Sequence, residues 1–228
     1  MLRSVFDDVA SRYENILPAH ISKHYLEKRV RFLSHYLNKD SKILDVGCGT
    51  GRLINNLSML GDLEICGCDN SIEMLKIAKM PGDCRLICSS SDYLPYTDNT
   101  FDAVISVSVF HHLKSQGAML RTMNEMIRVT KKNGRVVIWD ANPLNPYWFF
   151  LFKRIPYDKD VKMLMPLKKI ISEAKRYNLK KIEVLRNGWI PDFIPRKLLS
   201  LFKLLEHILE HTPILKLFSA HNVIIFTK

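Results

Sequence analysis

Apolar positions along the chain fall into two alternating rhythms. Residues 42–46, Lys-Ile-Leu-Asp-Val, make a short apolar run closed by Gly47. Residues 51–60 return to helical spacing. Residues 63–68 read as a second strand and 71–79 as a second helix, with Ser71 as its N-cap. Residues 85–88 form a third strand and 101–109 a fourth, apolar almost throughout, which predicts a sheet covered on both faces. Over 116–130, Met119, Leu120, Met123, Met126 and Ile127 share one helical face. Asn133-Gly134 predicts the turn that ends this helix, and 135–140 the fifth strand. Ahead of the first strand, Ile21, Tyr25, Leu26, Val30, Leu33 and Leu37 make a helical stripe. Behind the fifth lie a helix near 167–177, a strand at 180–186 and a last strand at 222–226.

Strands alternating with helices predict an α/β fold of parallel βαβ units with right-handed crossovers. The chain has 228 residues, 47% of them hydrophobic and 25% charged, which suits one domain with a full core. It divides into an N-terminal helical cap over 1–40, a core over 41–141, and two insertions at 142–166 and 189–220. In the second insertion Leu198, Leu201, Phe202, Leu205, Ile208 and Leu209 line one helical face. Lys197, Ser200, Lys203, His207 and His211 line the other. The densest apolar runs, 103–110 and 147–152, fall far short of the roughly 18 residues a membrane span needs. The first residues carry two Asp and no long apolar run, so neither a membrane span nor secretion is expected.

Five cysteines, an odd count without a leader pattern, predict reduced thiols and a cytoplasmic location. Cys66-x-Cys68 and Cys84-x3-Cys88 lack the spacing of a zinc knuckle and fall in or beside strands, where Cys packs as a small hydrophobe. No metal is expected. Net charge is +11, unevenly placed. Residues 1–142 carry 18 basic and 16 acidic side chains, whereas 143–228 carry 16 and 7. An anionic partner is therefore expected at the C-terminal third.

The chemistry concentrates in Leu44-Asp-Val-Gly-Cys-Gly-Thr-Gly51, which ends a strand and opens a helix. Gly47, Gly49 and Gly51 allow a sharp turn and close approach to a ligand, and the helix start offers free N–H groups. A dinucleotide fingerprint would place its third Gly at Arg52. Asp45, two residues before Gly47, would repel a pyrophosphate but suits a cationic amine. Asp69 ends the second strand and can accept from both hydroxyls of a ribose. Asp92 follows the third strand and can accept from an adenine amino group. An amino-acid head, a ribose and an adenine without phosphate describe S-adenosylmethionine.

These motifs resemble the class I S-adenosylmethionine-dependent methyltransferases of the small-molecule group, methyltransferase type 11. Phe6-Asp-Asp-Val-Ala-Ser-Arg-Tyr13 is similar to the N-terminus of quinone-biosynthesis C-methyltransferases. The resemblance covers residues 1–140. It implies a Rossmann-like seven-stranded mixed sheet, last strand antiparallel, with helices on both faces. It also implies roles: Asp45 and Gly47, beside Cys48, Gly49 and Gly51, at the methionine end; Asp69 at the ribose; Asn70 and Met74 flanking the adenine. Asp92 and the Tyr93 backbone would read the adenine edge, Ser106 would lie near the methionine, and Tyr13 would close over it. His111 or His112, after the fourth strand, would be the base; packing or loop ordering is the alternative for each.

The acceptor is less constrained. The family joins its last two strands by a short turn, whereas here about thirty residues intervene. Both insertions emerge at the carboxyl edge of the parallel strands, where such sheets bind ligands. Trp148, Phe149, Phe150, Phe152, Lys153 and Arg154 in one, and Trp189, Phe193, Arg196, Lys197, Phe202 and Lys203 in the other, suit a lid over an amphiphilic acceptor reached at an anionic membrane surface. A soluble small metabolite is the alternative acceptor. A nucleic acid is not expected, though the basic C-terminal third keeps an RNA methyltransferase open, as well as a non-catalytic cofactor-binding protein.

Overall fold

The computed structural model of the protein describes residues 4–78, 84–155, 157–158, 161 and 163–228. Among the described residues seven strands make one sheet: β1 (Lys42–Val46), β2 (Glu64–Asp69), β3 (Arg85–Cys88), β4 (Phe101–Val107), β5 (Thr130–Ala141), β6 (Lys180–Asn187) and β7 (His221–Thr227). Their order is β3-β2-β1-β4-β5-β7-β6. The first five run parallel, and β7 runs antiparallel to both β5 and β6. This is the expected mixed sheet with an antiparallel last strand.

The helices are α1 (Ala19–Ser34), α2 (Arg52–Leu57), α3 (Ile72–Ile77), α4 (Gln116–Val129), α5 (Tyr147–Arg154), α6 (Leu167–Arg176) and α7 (Leu199–His211). Ser71 caps α3 by accepting from the Met74 N–H at 3.2 Å. The last residue of that predicted helix, 79, lies outside the described residues, as do 1–3 of the cap and 156, 159, 160 and 162 of the first insertion.

Alternate strand residues feed two cores. Leu44 and Val46 of β1 join Met119, Met123, Met126, Ile170 and Ala174 on one face. Ile43 joins Leu33, Leu53, Ile54 and Trp139 on the other. Cys66 and Cys68 pack in the first face and Cys84 against the second.

Two local expectations are corrected. Asn133-Gly134 does not separate helix from strand but lies inside β5, as an irregularity between the pairs Phe101–Thr130 and Ala103–Arg135. Asn133 takes a left-handed φ of 65°. A Cβ on Gly134 would stand 2.8 Å from the backbone oxygens of Asp102 and Lys131, so the extra residues bulge tightly while the strand stays parallel to β4. In α7 only part of the predicted apolar stripe faces inward. Glu206 is buried, with Phe202 and Leu209 partly buried beside it, while Leu201, Leu204, Leu205 and Ile208 are exposed. The reason lies beneath: the Glu206 carboxylate accepts from the Trp189 N–H at 2.8 Å and meets His24 Nε2 at 2.8 Å and Lys28 Nζ at 2.9 Å.

Candidate active site

The carboxyl ends of β1, β2 and β4 lie side by side, with Val46 opposite Cys68 and Asp45 opposite Ile105. The chain leaves β1 through Gly47, Gly49 and Gly51, all left-handed at φ 79°, 54° and 75°. The Gly47 and Cys48 N–H groups donate to the Cys68 carbonyl at 2.8 and 3.0 Å, which turns the loop across the end of β2. A Cβ on Gly47 would strike Val109 at 2.3 Å, whereas a Cβ on Gly49 would meet nothing within 4 Å. Gly47 is thus needed for packing, and Gly49 borders open space.

Asp69 is held by two backbone donors, Gly49 N–H at 2.8 Å and Ser71 N–H at 2.9 Å. Burial nevertheless pushes its carboxyl above the ordinary range. Asp45 is 2% exposed. Burial, reinforced by Asp69 and opposed by Arg29, pushes it up to about 7. Ser106 donates to the Val46 carbonyl at 3.1 Å and so stiffens the end of β1.

An N-terminal segment crosses this edge. Short 3-10 turns at Val5–Asp8 and Ala10–Asn15 bring Glu14 to accept from the Thr50 hydroxyl at 2.8 Å, and Asp7 to accept from the Ser71 hydroxyl at 2.6 Å. Tyr13 is partly buried, and burial raises its phenol. The structure therefore brings Tyr13, Asp45, Gly47, Gly49, Gly51, Asp69 and Ser106 to one edge.

Other candidate positions have different surroundings. The Cys48 side chain turns into the core with Ile43 and Leu53. Met74 packs on Val9 and Ala10. Asn70 is exposed and accepts from the Ser4 hydroxyl at 3.2 Å. Asp92 accepts from the Ser90 hydroxyl at 2.5 Å and from Arg121 Nη2 at 3.2 Å, and these donors hold its carboxyl low. Tyr93 is exposed.

The histidine pair forms a second centre. His111 Nδ1 meets Asp140 Oδ1 at 2.8 Å; Asp140 is fully buried and also accepts from the Phe110 and Ala141 N–H groups. Burial pulls the His111 imidazole down, but the Asp140 carboxylate outweighs it and leaves it above its usual value. His112 is driven well below by burial and by His111. Asp158, 4% exposed, stands 3.8 Å from His111 Nε2 and 3.5 Å from His112 Nε2, and burial pushes it up to about 6. Rings enclose the pair. Phe152 stacks on His111 at 5.4 Å, Trp148 stacks on Phe152 at 5.1 Å, and Phe6 meets His112 edge-on at 4.8 Å. The first insertion thus covers the histidines. Asp192 ties it to the second, through the Tyr147 hydroxyl and an ion pair with Arg154 at 3.3 Å.

The profile of the methyltransferase domain family matches residues 44–138, which run from within β1 to within β5. This stretch of the chain is a methyltransferase domain. The chain is similar to a probable tRNA methyltransferase 9B of Bos taurus, 34% identical over 58% of this chain and 28% of that protein. It is also similar to a demethylmenaquinone methyltransferase of Paenarthrobacter aurescens, 30% identical over 65% of this chain and 58% of that protein. The chain spans less than two thirds of the length of the curated relatives it matches. A solved S-adenosylmethionine-dependent methyltransferase from Thermotoga maritima superposes with a TM-score of 0.70 at 16% identity, over 98% of this chain and 97% of that one, which shows the shared fold.

Four functional positions escaped the sequence reading. Arg29 donates to the Ser108 hydroxyl at 3.1 Å and its charge acts on Asp45 and Tyr13. Its signal was present: it stands four residues from both Tyr25 and Leu33, a cation on an apolar stripe. Asp140, an acidic residue ending an apolar strand, carried the same mark as Asp45 and Asp69. Tyr157 and Asp158 sit in an aperiodic loop, where spacing carries no signal.

Proposed function

We propose that this chain transfers the methyl group of S-adenosylmethionine to an amphiphilic acceptor with an apolar chain, reached at an anionic lipid surface. The observation that carries the acceptor reading is α7, which buries Glu206 and leaves Leu201, Leu204, Leu205 and Ile208 exposed. Phe149, Phe150, Phe193, Ile214 and Phe218 are exposed on the same two insertions, among Lys153, Arg196, Lys197 and Lys203. Exposed apolar surface of this extent marks an interaction site, and cations beside it suit acidic headgroups.

The cofactor half fits a cationic, phosphate-free nucleoside. Asp45 would hold the ammonium of the methionine and Arg29 its carboxylate. Asp69, already fixed by two N–H donors, would accept from the ribose hydroxyls, and the open side of Gly49 leaves room for the ligand. When bound, the cofactor supplies an activated methyl on a sulfonium. The protein's part is alignment of the acceptor in line with that methyl and removal of water beneath the N-terminal segment. In this reading the cluster of His111, His112 and Asp158 would take up a proton released by the acceptor.

The reading is tested with labelled S-adenosylmethionine, vesicles and lipid extract. Co-sedimentation should favour anionic over neutral vesicles and weaken at about 1 M salt, where the Debye length is about 3 Å. K153E/R196E/K197E should lower it without changing cofactor affinity. Label should appear in the lipid phase. Asp69→Ala should remove cofactor binding, since a hydrogen bond to a charged group is worth about 1.5–3 kcal/mol. A second reading, an RNA acceptor, is favoured by the tRNA methyltransferase relative and the basic C-terminal third. Label in RNA with inert vesicles would replace the first reading by the second.

A further inference from the structure

We propose that His111, His112 and Asp158 form a binding site for one divalent transition-metal ion of the zinc class. Asp140 orients His111 from behind. It is fully buried and spends its oxygens as an acceptor toward Phe110 N–H, Ala141 N–H and His111 Nδ1, so the imidazole proton sits on Nδ1 and the Nε2 lone pair points away. A carboxylate behind a histidine is the usual outer support of a ligating imidazole.

The His111 and His112 Nε2 atoms and a carboxylate oxygen of Asp158 all lie within 4.8 Å of one another. The two nitrogens are 3.8 and 3.5 Å from Asp158 Oδ1, too long for good hydrogen bonds. Two ligands on a tetrahedral ion, with bonds of 2.0–2.1 Å, stand about 3.3 Å apart. Both distances to Asp158 are already near this value, and a separation of up to 4.8 Å within the trio must close for the three atoms to share an ion. An independent observation points to a ligand. Asp158 Oδ1 is buried without a hydrogen-bond partner, on a residue that is 4% exposed. Buried polar atoms are ordinarily paired, and an ion between this oxygen and two imidazoles would satisfy it.

Two imidazoles and one carboxylate favour zinc, or a neighbouring first-row ion, over magnesium or calcium, which prefer all-oxygen shells. Three protein ligands leave a fourth position open. Phe152 and Phe6 hold the two imidazoles from outside. Tyr13, against Tyr157 at 5.2 Å, feels the charges of both Asp158 and Asp69, which puts the cluster beside the cofactor edge. A role for the ion in polarising an acceptor oxygen at its open position rests on the methyl-transfer reading above; ion binding does not.

The test uses chelator-treated full-length protein titrated with zinc or cobalt chloride. One ion per chain should bind, and the cobalt form should show visible bands of tetrahedral or five-coordinate nitrogen–oxygen ligation. Asp158→Asn and His112→Ala should each weaken binding at least 100-fold, and Asp140→Asn about 10–100-fold. Histidine nitrogen NMR of the unaltered protein should show two imidazoles shifting on zinc addition, a readout that survives if a variant fails to fold. Absence of stoichiometric binding, a thiolate-to-cobalt charge-transfer band, or binding unaffected by Asp158→Asn would overturn the site. Calorimetry with S-adenosylmethionine on the same samples separates this failure from failure of the cofactor reading. Methyl transfer indifferent to zinc would remove only the polarising role.

Discussion

At the scale of single residues, the cofactor edge is a set of carboxylates and glycines with separable tasks. Asp45 is raised to about 7 by burial, with Asp69 adding to the shift. A protonated Asp45 cannot attract an ammonium group, so affinity for S-adenosylmethionine should rise with pH until Asp45 is ionised, near 7, and then level off. The gain should be up to about tenfold per pH unit below that point. Asp45→Asn should flatten the profile; calorimetry between pH 5.5 and 8 decides it. Gly47 and Gly49 share a left-handed φ but differ in what surrounds them. Gly47→Ala should lower both Tm and cofactor affinity, because its Cβ meets Val109. Gly49→Arg should block the cofactor while costing little stability. A side chain in a left-handed conformation costs about 1–2 kcal/mol, or a few degrees of Tm. Thermal scans with and without cofactor distinguish the two.

At the scale of elements, α7 is held by polar groups and presents apolar ones. Burial alone would raise the Glu206 carboxyl, but His24 and Lys28 outweigh it and hold it down to about 2. A carboxylate depressed in the folded state contributes stability that is present above its unfolded value, about 4.3, and is lost as pH falls through its folded value. The acid limb of the stability profile between about pH 4.5 and 2 should therefore be shallower in Glu206→Gln. Glu206→Ala should cost about 1–3 kcal/mol at neutral pH, since it leaves the Trp189 N–H and His24 without their acceptor, while Lys28 keeps its ion pair with Glu210. Leu201→Ser and Ile208→Ser should leave Tm nearly unchanged. Phe202→Ala, which removes packing against Ile21, Ile190 and Ile194, should lower it. A helix with its apolar stripe inward would give the opposite ranking of the leucines and Glu206.

At the scale of the molecule, the N-terminal segment and the first insertion meet beside the histidine pair, through Phe6 and Phe152. Thr50–Glu14 and Ser71–Asp7 are the bonds by which the first of these covers the glycine loop. Glu14→Ala should speed cofactor dissociation several-fold while Tm falls by no more than a few degrees, because Glu14 is exposed and Thr50 can turn to water. Stopped-flow displacement measures the rate. An unchanged off-rate would mean that the segment covers the loop without gating it.

The strand–helix alternation, the glycine turn and the acidic strand ends were legible from local spacing alone. Period-2 and period-3.6 burial and the left-handed turn are properties of neighbours in sequence. The sheet order from β3 to β5 follows from the same units, since right-handed crossovers leave few alternatives. The rest was decided by contacts between distant residues. Asn133-Gly134 reads as a turn until Asp102 and Lys131 close around it within the sheet. The face that α7 buries depends on His24 and Lys28, more than 170 residues earlier in the chain, which offer a carboxylate more than an apolar residue would gain. The histidine pair was visible as a dipeptide, but its chemistry was not. Asp140 and Asp158 approach it only when β5 and the loop after α5 are in place, and the geometry of a charge's partners, not its position along the chain, sets what it can do.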